Sequence, residues 1–234
     1  MKTAIIIPTF NEKDNIQELI PKIFSLNIPD LHIIVVDDNS PDGTGKIVSD
    51  MKKTDARIHS IHREKKMGLG TAYQDGFRYA FNEGAEHFFE IDADFSHDYK
   101  IIPQFLDTIS EADLVVGSRY IPGGKTMNWN LSRRLVSHFG NVYARVVLGL
   151  PIRDLTTGYK CYHRRVIEYL ATQPIDSIGY VFQVETSYLA HKKGFRVKEI
   201  PITFVERRSG TSKFNFRIIW ESFWRVWKLR FMKK

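Results

Sequence analysis

The chain has 234 residues and a mass of 27.2 kDa, with 43% hydrophobic, 26% charged and 13% aromatic residues. A globule of that size buries roughly 70% of its unfolded surface, so one full core is expected, and disordered, collagenous and disulfide-scaffold chains are excluded. The net charge of +7 is uneven: from Arg207 onward nine basic residues face Glu221 alone, a net +8 that leaves the first 206 residues at −1.

Cys161 is the single cysteine, which rules out an internal disulfide or a zinc cluster built on several cysteines, and a buried thiol is expected. No stretch approaches the roughly 18 consecutive apolar residues of a membrane-spanning helix. In the opening MKTAIIIPTFNE, Pro8 and Glu12 interrupt the apolar run before it reaches signal-peptide length. A cytoplasmic location follows as the expectation.

In chain order, strand-like apolar runs at Ala4 to Ile7, Ile33 to Val36, Ile58 to Ile61, Phe88 to Ile91 and Leu114 to Val116 alternate with helix-period segments. The helices are expected from about Glu12, from about Thr44, near Gly70 to Asn82 and near Lys100 to Ile109. This alternation predicts an α/β fold, a mostly parallel sheet with helices on both faces. The regular pattern fades after about Tyr120, and Gly123 to Gly158 reads as loops around one helix. Ligands of such sheets bind at the carboxyl ends of the strands. The polar clusters PTFNE, DDNSPDGT, DADFSH and GSRY all follow strands, as that rule requires.

Within DADFSH, Asp92 and Asp94 are two residues apart, and in extended backbone such side chains share a side. Two carboxylates with open coordination positions suit Mg2+ or Mn2+ carrying a diphosphate, because these ions keep waters and bind phosphate oxygens. Asp37 and Asp38 stand at the next strand end, where an acid commonly takes ribose hydroxyls. The following NSPDGT is equally strong turn and helix-cap chemistry. Gly68 and Gly70 in MGLGTAY suit a tight loop opening a helix, and no GxGxxG follows a strand. Arg119, Arg133, Arg134, Arg207, Arg208 and Lys213 lie outside the apolar periodicities; arginine forks of this kind match phosphate oxygens two at a time.

Taken together, PTFNE, VVDDNSPDGT, GLGTAY, DADFSH, GSRY, DLTTGYKCY, GYVFQVE and ERRSGTSK occur in an order that closely resembles the dolichyl-phosphate (polyprenyl-phosphate) mannose synthases, inverting glycosyltransferases of family 2 with a GT-A fold. The resemblance runs from Ala4 to about Lys213 and implies a catalytic domain over 1–213, followed by a basic, Trp-rich helix over 214–234. It implies that Pro8, Phe10, Glu12, Val36 and Asp38 hold the nucleoside, and that Asp92, Ala93 and Asp94 hold the metal and the sugar diphosphate. Arg207 and Lys213 would clamp the donor phosphates, and Arg119, Arg133 and Ser137 would receive the acceptor phosphate, with Arg119 close to the donor as well. Phe10 stands where many relatives have Tyr, and Ser96 where some have Gln near the metal. The transmembrane helices that follow the catalytic domain in some relatives are missing from this sequence.

The activity so implied is metal-dependent, inverting transfer of a hexose from a nucleotide sugar, GDP-mannose by family likeness, to dolichyl or polyprenyl phosphate. UDP-glucose is left open, as is a saccharide hydroxyl as acceptor with Asp154 or Glu185 as base. A phosphate monoester has its second pKa near 6 and is largely a dianion at neutral pH. Such an acceptor needs cations and no strong base, unlike a sugar hydroxyl.

In the tail, helical spacing lines up Trp220, Trp224, Trp227 and Phe231, and gathers Arg217, Glu221, Arg225 and Lys228 on another stripe. A helix of this pattern either lies in a membrane interface or docks its aromatic stripe on protein. The expectation is peripheral attachment to the cytoplasmic face of a membrane, with a membrane subunit as a further partner. Nucleic acid is not an expected partner, because it leaves the paired aspartates without a role.

Overall fold

A computed structural model describes residues 2–175, 177, 179–206 and 216–231, with the side chains of residues 180 and 216–222 outside the description. Nine strands and eight α-helices are described. They are β1 (Thr3–Thr9), α1 (Lys13–Phe24), β2 (Leu31–Asp37), α2 (Thr44–Thr54), β3 (Ile58–His62), α3 (Leu69–Asn82), β4 (His87–Glu90), α4 (Ile102–Ile109), β5 (Leu114–Ser118), β6 (Lys125–Met127), α5 (Leu131–Leu148), β7 (Lys160–His163), α6 (Arg164–Ala171), α7 (Tyr180–Lys193), β8 (Val197–Pro201), β9 (Thr203–Val205) and α8 (Phe216–Phe231).

Seven strands form one sheet in the order β3-β2-β1-β4-β7-β5-β8. All pairings are parallel except those of β7, which runs antiparallel to both β4 and β5. Side chains alternate across the sheet as the strand period dictates. Ala4 and Ile6 of β1 enter a core with α3, α5, α6, α7 and α8, while Ile5 and Ile7 enter a second core with α1, α2 and α4. Helices therefore cover both faces, and β1, β2, β4 and β5 are buried almost throughout, as a central parallel sheet demands.

The expected strands and helices up to β5 are all present. Between Gly123 and Gly158 the one expected helix is α5, and the short strand β6 is added to the loops around it. β6 precedes α5 and pairs in parallel with β9, far along the chain. Gly124 makes the approach to β6 feasible, because a Cβ there would stand 2.5 Å from the Ser118 carbonyl oxygen and 2.8 Å from the Arg119 carbonyl carbon. Cys161 is buried in β7, as expected.

The C-terminal helix α8 packs on α5 and α7 through Val226 and Leu229, each 4% exposed, and Tyr143 of α5 stacks on Phe223 with ring centroids 4.6 Å apart. Trp224 and Phe231 are exposed, and Trp227 is exposed at one edge. Docking thus uses the aliphatic face, with the Trp227 indole bonded to the Tyr143 hydroxyl of α5 and Trp224 and Phe231 left in solvent. The side chain of Trp220 lies outside the described residues. None of the described helices is long and apolar enough to cross a membrane.

Candidate active site

Four parallel strands end on the same edge of the sheet, and each hands over to a charged residue: β2 to Asp38, β3 to Arg63, β4 to the Asp92–Asp94 turn, and β5 to Arg119. Because β7 is antiparallel, the loop that enters it, residues 149–159, arrives at this same edge and carries Asp154 and Gly158. β8 also ends here and runs into β9 and Glu206.

On the β1–β2 side, Pro8 pairs with Val36 and Thr9 with Asp37. Val36 is fully buried in the core, so only its backbone can face a ligand. Asp37 is spent locally: it accepts from the Thr9 hydroxyl at 3.0 Å and from the Ser40 amide at 3.1 Å. Asp38, 7% exposed, is gripped by the two-pronged guanidinium of Arg63, which also donates to Thr71 Oγ1 at 2.7 Å and the Gly68 carbonyl at 3.1 Å. Phe10 is half-buried with the Lys66 ammonium 3.9 Å above its ring, and Glu12 accepts from Asn15 Nδ2 at 2.7 Å.

The NSPDGT segment serves structure: Asp42 accepts from the Lys13 and Thr44 amides, and Thr44 Oγ1 accepts from the Glu12 amide. Gly70 opens α3 against the Ser177 carbonyl, where a Cβ would stand 2.6 Å away. That contact supports the tight-loop reading of GLGTAY.

Asp94 lies in a turn that Asp92 immediately precedes, so the pair is not the continuous extended segment the spacing suggested. Asp94 is 8% exposed and its Oδ1 accepts from the Ser96 amide at 3.0 Å, which folds the turn back on itself. The Asp92 side chain is 36% exposed, and its Oδ2 lies 3.9 Å from Nδ1 of the buried His97. Burial pushes His97 down to about 4, against the pull of Asp94, so the ring is neutral at pH 7. Both acids act together on the phenol of Tyr73, which burial raises first.

A Cβ on Gly158 would lie 3.8 Å from each Asp92 oxygen, so bare backbone leaves room beside that carboxylate. Among the described residues no three His, Cys, Asp or Glu side chains group as a metal-ligand set. Two carboxylates with open space beside them do not make a closed structural site. They fit a hard cation that takes its remaining ligands from a diphosphate and water.

Beneath the turn lies a buried polar layer that the sequence reading did not single out. Glu90 faces Lys160 across the β4–β7 ladder and accepts from the Tyr162 hydroxyl at 3.0 Å. Lys160 donates to the Gln183 carbonyl at 2.6 Å and to Thr186 Oγ1 at 3.2 Å. Burial raises Glu90 to about 7 and lowers Lys160 to about 8.

On the β5 side, Arg119 is 8% exposed and clasps Asp154: Nε to Oδ2 at 2.7 Å and Nη2 to Oδ1 at 2.7 Å, with a further bond to Thr156 Oγ1 at 2.8 Å. The loop bearing Asp154 is tied down by Glu199, which accepts from the Arg153 and Asp154 amides, and by Asn141, which accepts from the Leu155 amide. The Arg119 guanidinium lies 5.4 Å from the Trp129 ring, and the Arg133 guanidinium lies 4.3 Å from the same ring. Asn130 caps α5 by accepting from the Arg133 amide at 2.9 Å. One turn further, Ser137 Oγ accepts from the Tyr120 hydroxyl at 2.8 Å. Arg119, Arg133 and Ser137 are therefore gathered around Trp129 and Tyr120.

Arg207 and Lys213 lie outside the described residues. Trp129, Arg63, His97 and Glu206 were not singled out from sequence. Only Arg63 carried a readable signal, as the first residue past a strand end.

The profile of Glycosyl transferase family 2 matches residues 4–170, and the chain belongs to this family. It is 41% identical over 233 residues to the polyprenol monophosphomannose synthase of Mycolicibacterium smegmatis, covering 98% of this chain and 88% of that protein. It is 40% identical over 222 residues to the undecaprenyl-phosphate mannosyltransferase of Micrococcus luteus, covering 95% and 91%. Among solved structures, the fold resembles a glucosyl-3-phosphoglycerate synthase from Mycobacterium tuberculosis in complex with UDP, with a TM-score of 0.69 at 15% identity over 100% of this chain and 81% of that one. It also resembles the mannosyltransferase PcManGT from Pyrobaculum calidifontis in complex with GDP-Man and Mn2+, with a TM-score of 0.64 at 19% identity over 93% and 60%. The GT-A-like fold and the glycosyltransferase assignment read from the motifs are thus borne out.

Proposed function

We propose that this glycosyltransferase moves a hexose, mannose from GDP-mannose, directly onto the phosphate of a polyprenyl phosphate, with inversion at the anomeric carbon. The observation that carries this reading is the construction of α5. Its inward line holds Arg133 and Ser137 beside the Arg119–Trp129 cluster. Its outward line, Leu131, Leu135, Phe139, Val142 and Val146, is exposed apolar surface. One helix thus offers cations to a headgroup and hydrocarbon to what lies around it, the two needs of a phosphorylated lipid.

The names of the relatives from M. smegmatis and M. luteus support the same acceptor class. With Trp224, Trp227 and Phe231 of α8 also exposed, these helices suit the interface of a bilayer, and peripheral attachment there is part of the proposal. A membrane subunit as a further partner belongs to the same expectation.

Asp92 and Asp94 would hold Mg2+ or Mn2+, which supplies charge neutralisation on the donor diphosphate. The backbone of Ala93, between them, would face the same diphosphate. Pro8, Phe10, Glu12, Val36 and Asp38 line the strand ends where the nucleoside would sit, with Phe10 stacking on the base. Arg207 and Lys213 would add cationic stabilisation to the leaving diphosphate.

A dianionic phosphate attacks without help from a base. The buried carboxylate nearest the acceptor cluster, Asp154, is committed through both oxygens to Arg119, so it is poorly placed to take a proton from a hydroxyl. The test pairs a panel of nucleotide sugars with a short polyprenyl phosphate and with the matching free polyprenol. A lipid product from the phosphate alone, with the mass of one added hexose, is expected. Equal transfer to the free alcohol would refute the reading.

A further inference from the structure

Arg133, Ser137 and Asn141 recur every four residues along α5 and so share a face of the helix. Asn141 is 1% exposed and uses its whole amide. Nδ2 donates to the Ser137 carbonyl at 2.9 Å and to Thr156 Oγ1 at 3.0 Å, and Oδ1 accepts from the Leu155 and Thr156 amides. The backbone of α5 at Ser137 is thereby pinned to the loop that carries Asp154. Thr156 Oγ1 is also the hydroxyl that Arg119 reaches, so helix, loop and arginine form one frame.

Tyr120 adds a bond that this frame does not need. Its ring lies 5.4 Å from the Arg119 guanidinium and edge-on to His138 at 5.5 Å, and its hydroxyl donates to Ser137 Oγ at 2.8 Å. Burial raises the phenol above its ordinary value, so it keeps the proton it donates. Arg119 already holds Asp154, and Arg133 already holds Glu206. The half-buried Ser137 hydroxyl differs: its oxygen accepts from Tyr120, and its proton has no acceptor among the described residues.

We propose that Tyr120 is a positioning residue for the acceptor: by donating to Ser137 Oγ it fixes that hydroxyl with its proton left for the acceptor phosphate. The inference rests on the reading that Ser137 receives this phosphate.

A serine hydroxyl both donates and accepts, and its proton rotates to suit. Within a helix it commonly turns back to the carbonyl one turn earlier, here that of Arg133. Donation by the phenol occupies a lone pair of the serine oxygen and bars the settings in which the serine proton points at Tyr120. It also polarises the Ser137 O–H, which strengthens the bond that this hydroxyl then makes. An anionic acceptor gains most from such a donor. Without the phenol proton Ser137 stays in place, because Asn141 holds its backbone, but its rotor is loose.

The test measures steady-state kinetics of the full chain with GDP-mannose and a short polyprenyl phosphate. Tyr120→Phe keeps the ring and removes only the hydroxyl. Its KM for the polyprenyl phosphate is expected to rise about three- to tenfold, between the effect of one rotor freed among three settings and that of one neutral hydrogen bond. Turnover and the GDP-mannose KM are expected to hold within about twofold, and on a Ser137→Ala background the same change should add less than about twofold, because the group it acts through is gone. An acceptor KM unmoved in Tyr120→Phe, a matching rise in the GDP-mannose KM, or an equal rise on the Ser137→Ala background overturns the inference. Ser137→Ala alone separates the two levels of the argument. An unchanged acceptor KM there removes Ser137 from the acceptor site and this inference with it, whereas a raised one with Tyr120→Phe silent sinks this inference alone.

Discussion

The guanidinium of Arg119 and the carboxylate of Asp154 form a buried, two-bond pair that joins the end of β5 to the loop entering β7. Asp154 is fully buried and Arg119 nearly so, so removing one partner strands a charge in a low-dielectric site. Asp154→Ala should destabilise the protein by about 3–5 kcal/mol, read as a drop in the urea midpoint at constant m-value. Replacing both residues with apolar ones should cost less than Asp154→Ala alone, although transfer activity should be lost in each case. A single variant as stable as wild type would show that the pair contributes nothing.

Asp92→Asn and Asp94→Asn change charge while keeping shape. In the second variant the side-chain carbonyl of the new amide can still accept from the Ser96 amide, as the Asp94 carboxylate does at 3.0 Å, so the thermal midpoint should move little. Turnover should fall by at least about 100-fold, the scale of losing an electrostatic contribution to the transition state. Chelation of divalent ions should abolish wild-type activity, and Mg2+ or Mn2+ should restore it. A variant retaining full kcat would detach these acids from the chemistry.

Glu90 makes a pH signature. Burial raises it from 4.5 to about 7, against the attraction of Lys160, so the folded protein holds this proton more tightly than the unfolded chain. The contribution to stability is complete below pH 4.5 and is lost as pH rises through about 7. The slope approaches at most about 1.4 kcal/mol per pH unit from this group. Denaturant unfolding of wild type and Glu90→Gln across that window should show stability falling with pH from this group in wild type and no such fall in the variant.

The outward faces of α5 and α8 should govern lipid binding. Phe139 is 63% exposed and Trp224 58% exposed, so Phe139→Glu and Trp224→Glu should leave the thermal midpoint nearly unchanged. Each should weaken sedimentation with anionic liposomes by about tenfold, since an interfacial helix binds through its buried apolar area. Liposome binding indifferent to both changes would assign these faces to another partner.

The sheet, its first five strands and the strand-end clusters were legible in the sequence because period-2 and period-3.6 patterns are local. β7 was not, although KCYH is wholly ordinary strand sequence, because its antiparallel insertion between β4 and β5 is a property of topology. The three-residue β6 and β9 are too short to carry a period. Asp92 and Asp94 were singled out from their spacing in an extended backbone, whereas Asp94 lies in a turn held by the Ser96 amide, which a two-residue spacing does not reveal. Trp129 and Glu206 escaped notice for a physical reason: each acts through an arginine distant in sequence or fixed by a helix cap, and no local pattern announces such a pairing. The tail was read correctly as amphipathic. Which side docks was settled by Val226 and Leu229 fitting against α5 and α7.

The central claim, that a hexose passes in one step to an already ionised phosphate, is tested most directly by NMR of the purified lipid product. The account predicts a hexosyl phosphate, with the anomeric proton coupled to phosphorus and a configuration opposite to that of the donor. Retained configuration, or an anomeric carbon bonded to an alcohol oxygen without phosphorus coupling, would contradict it.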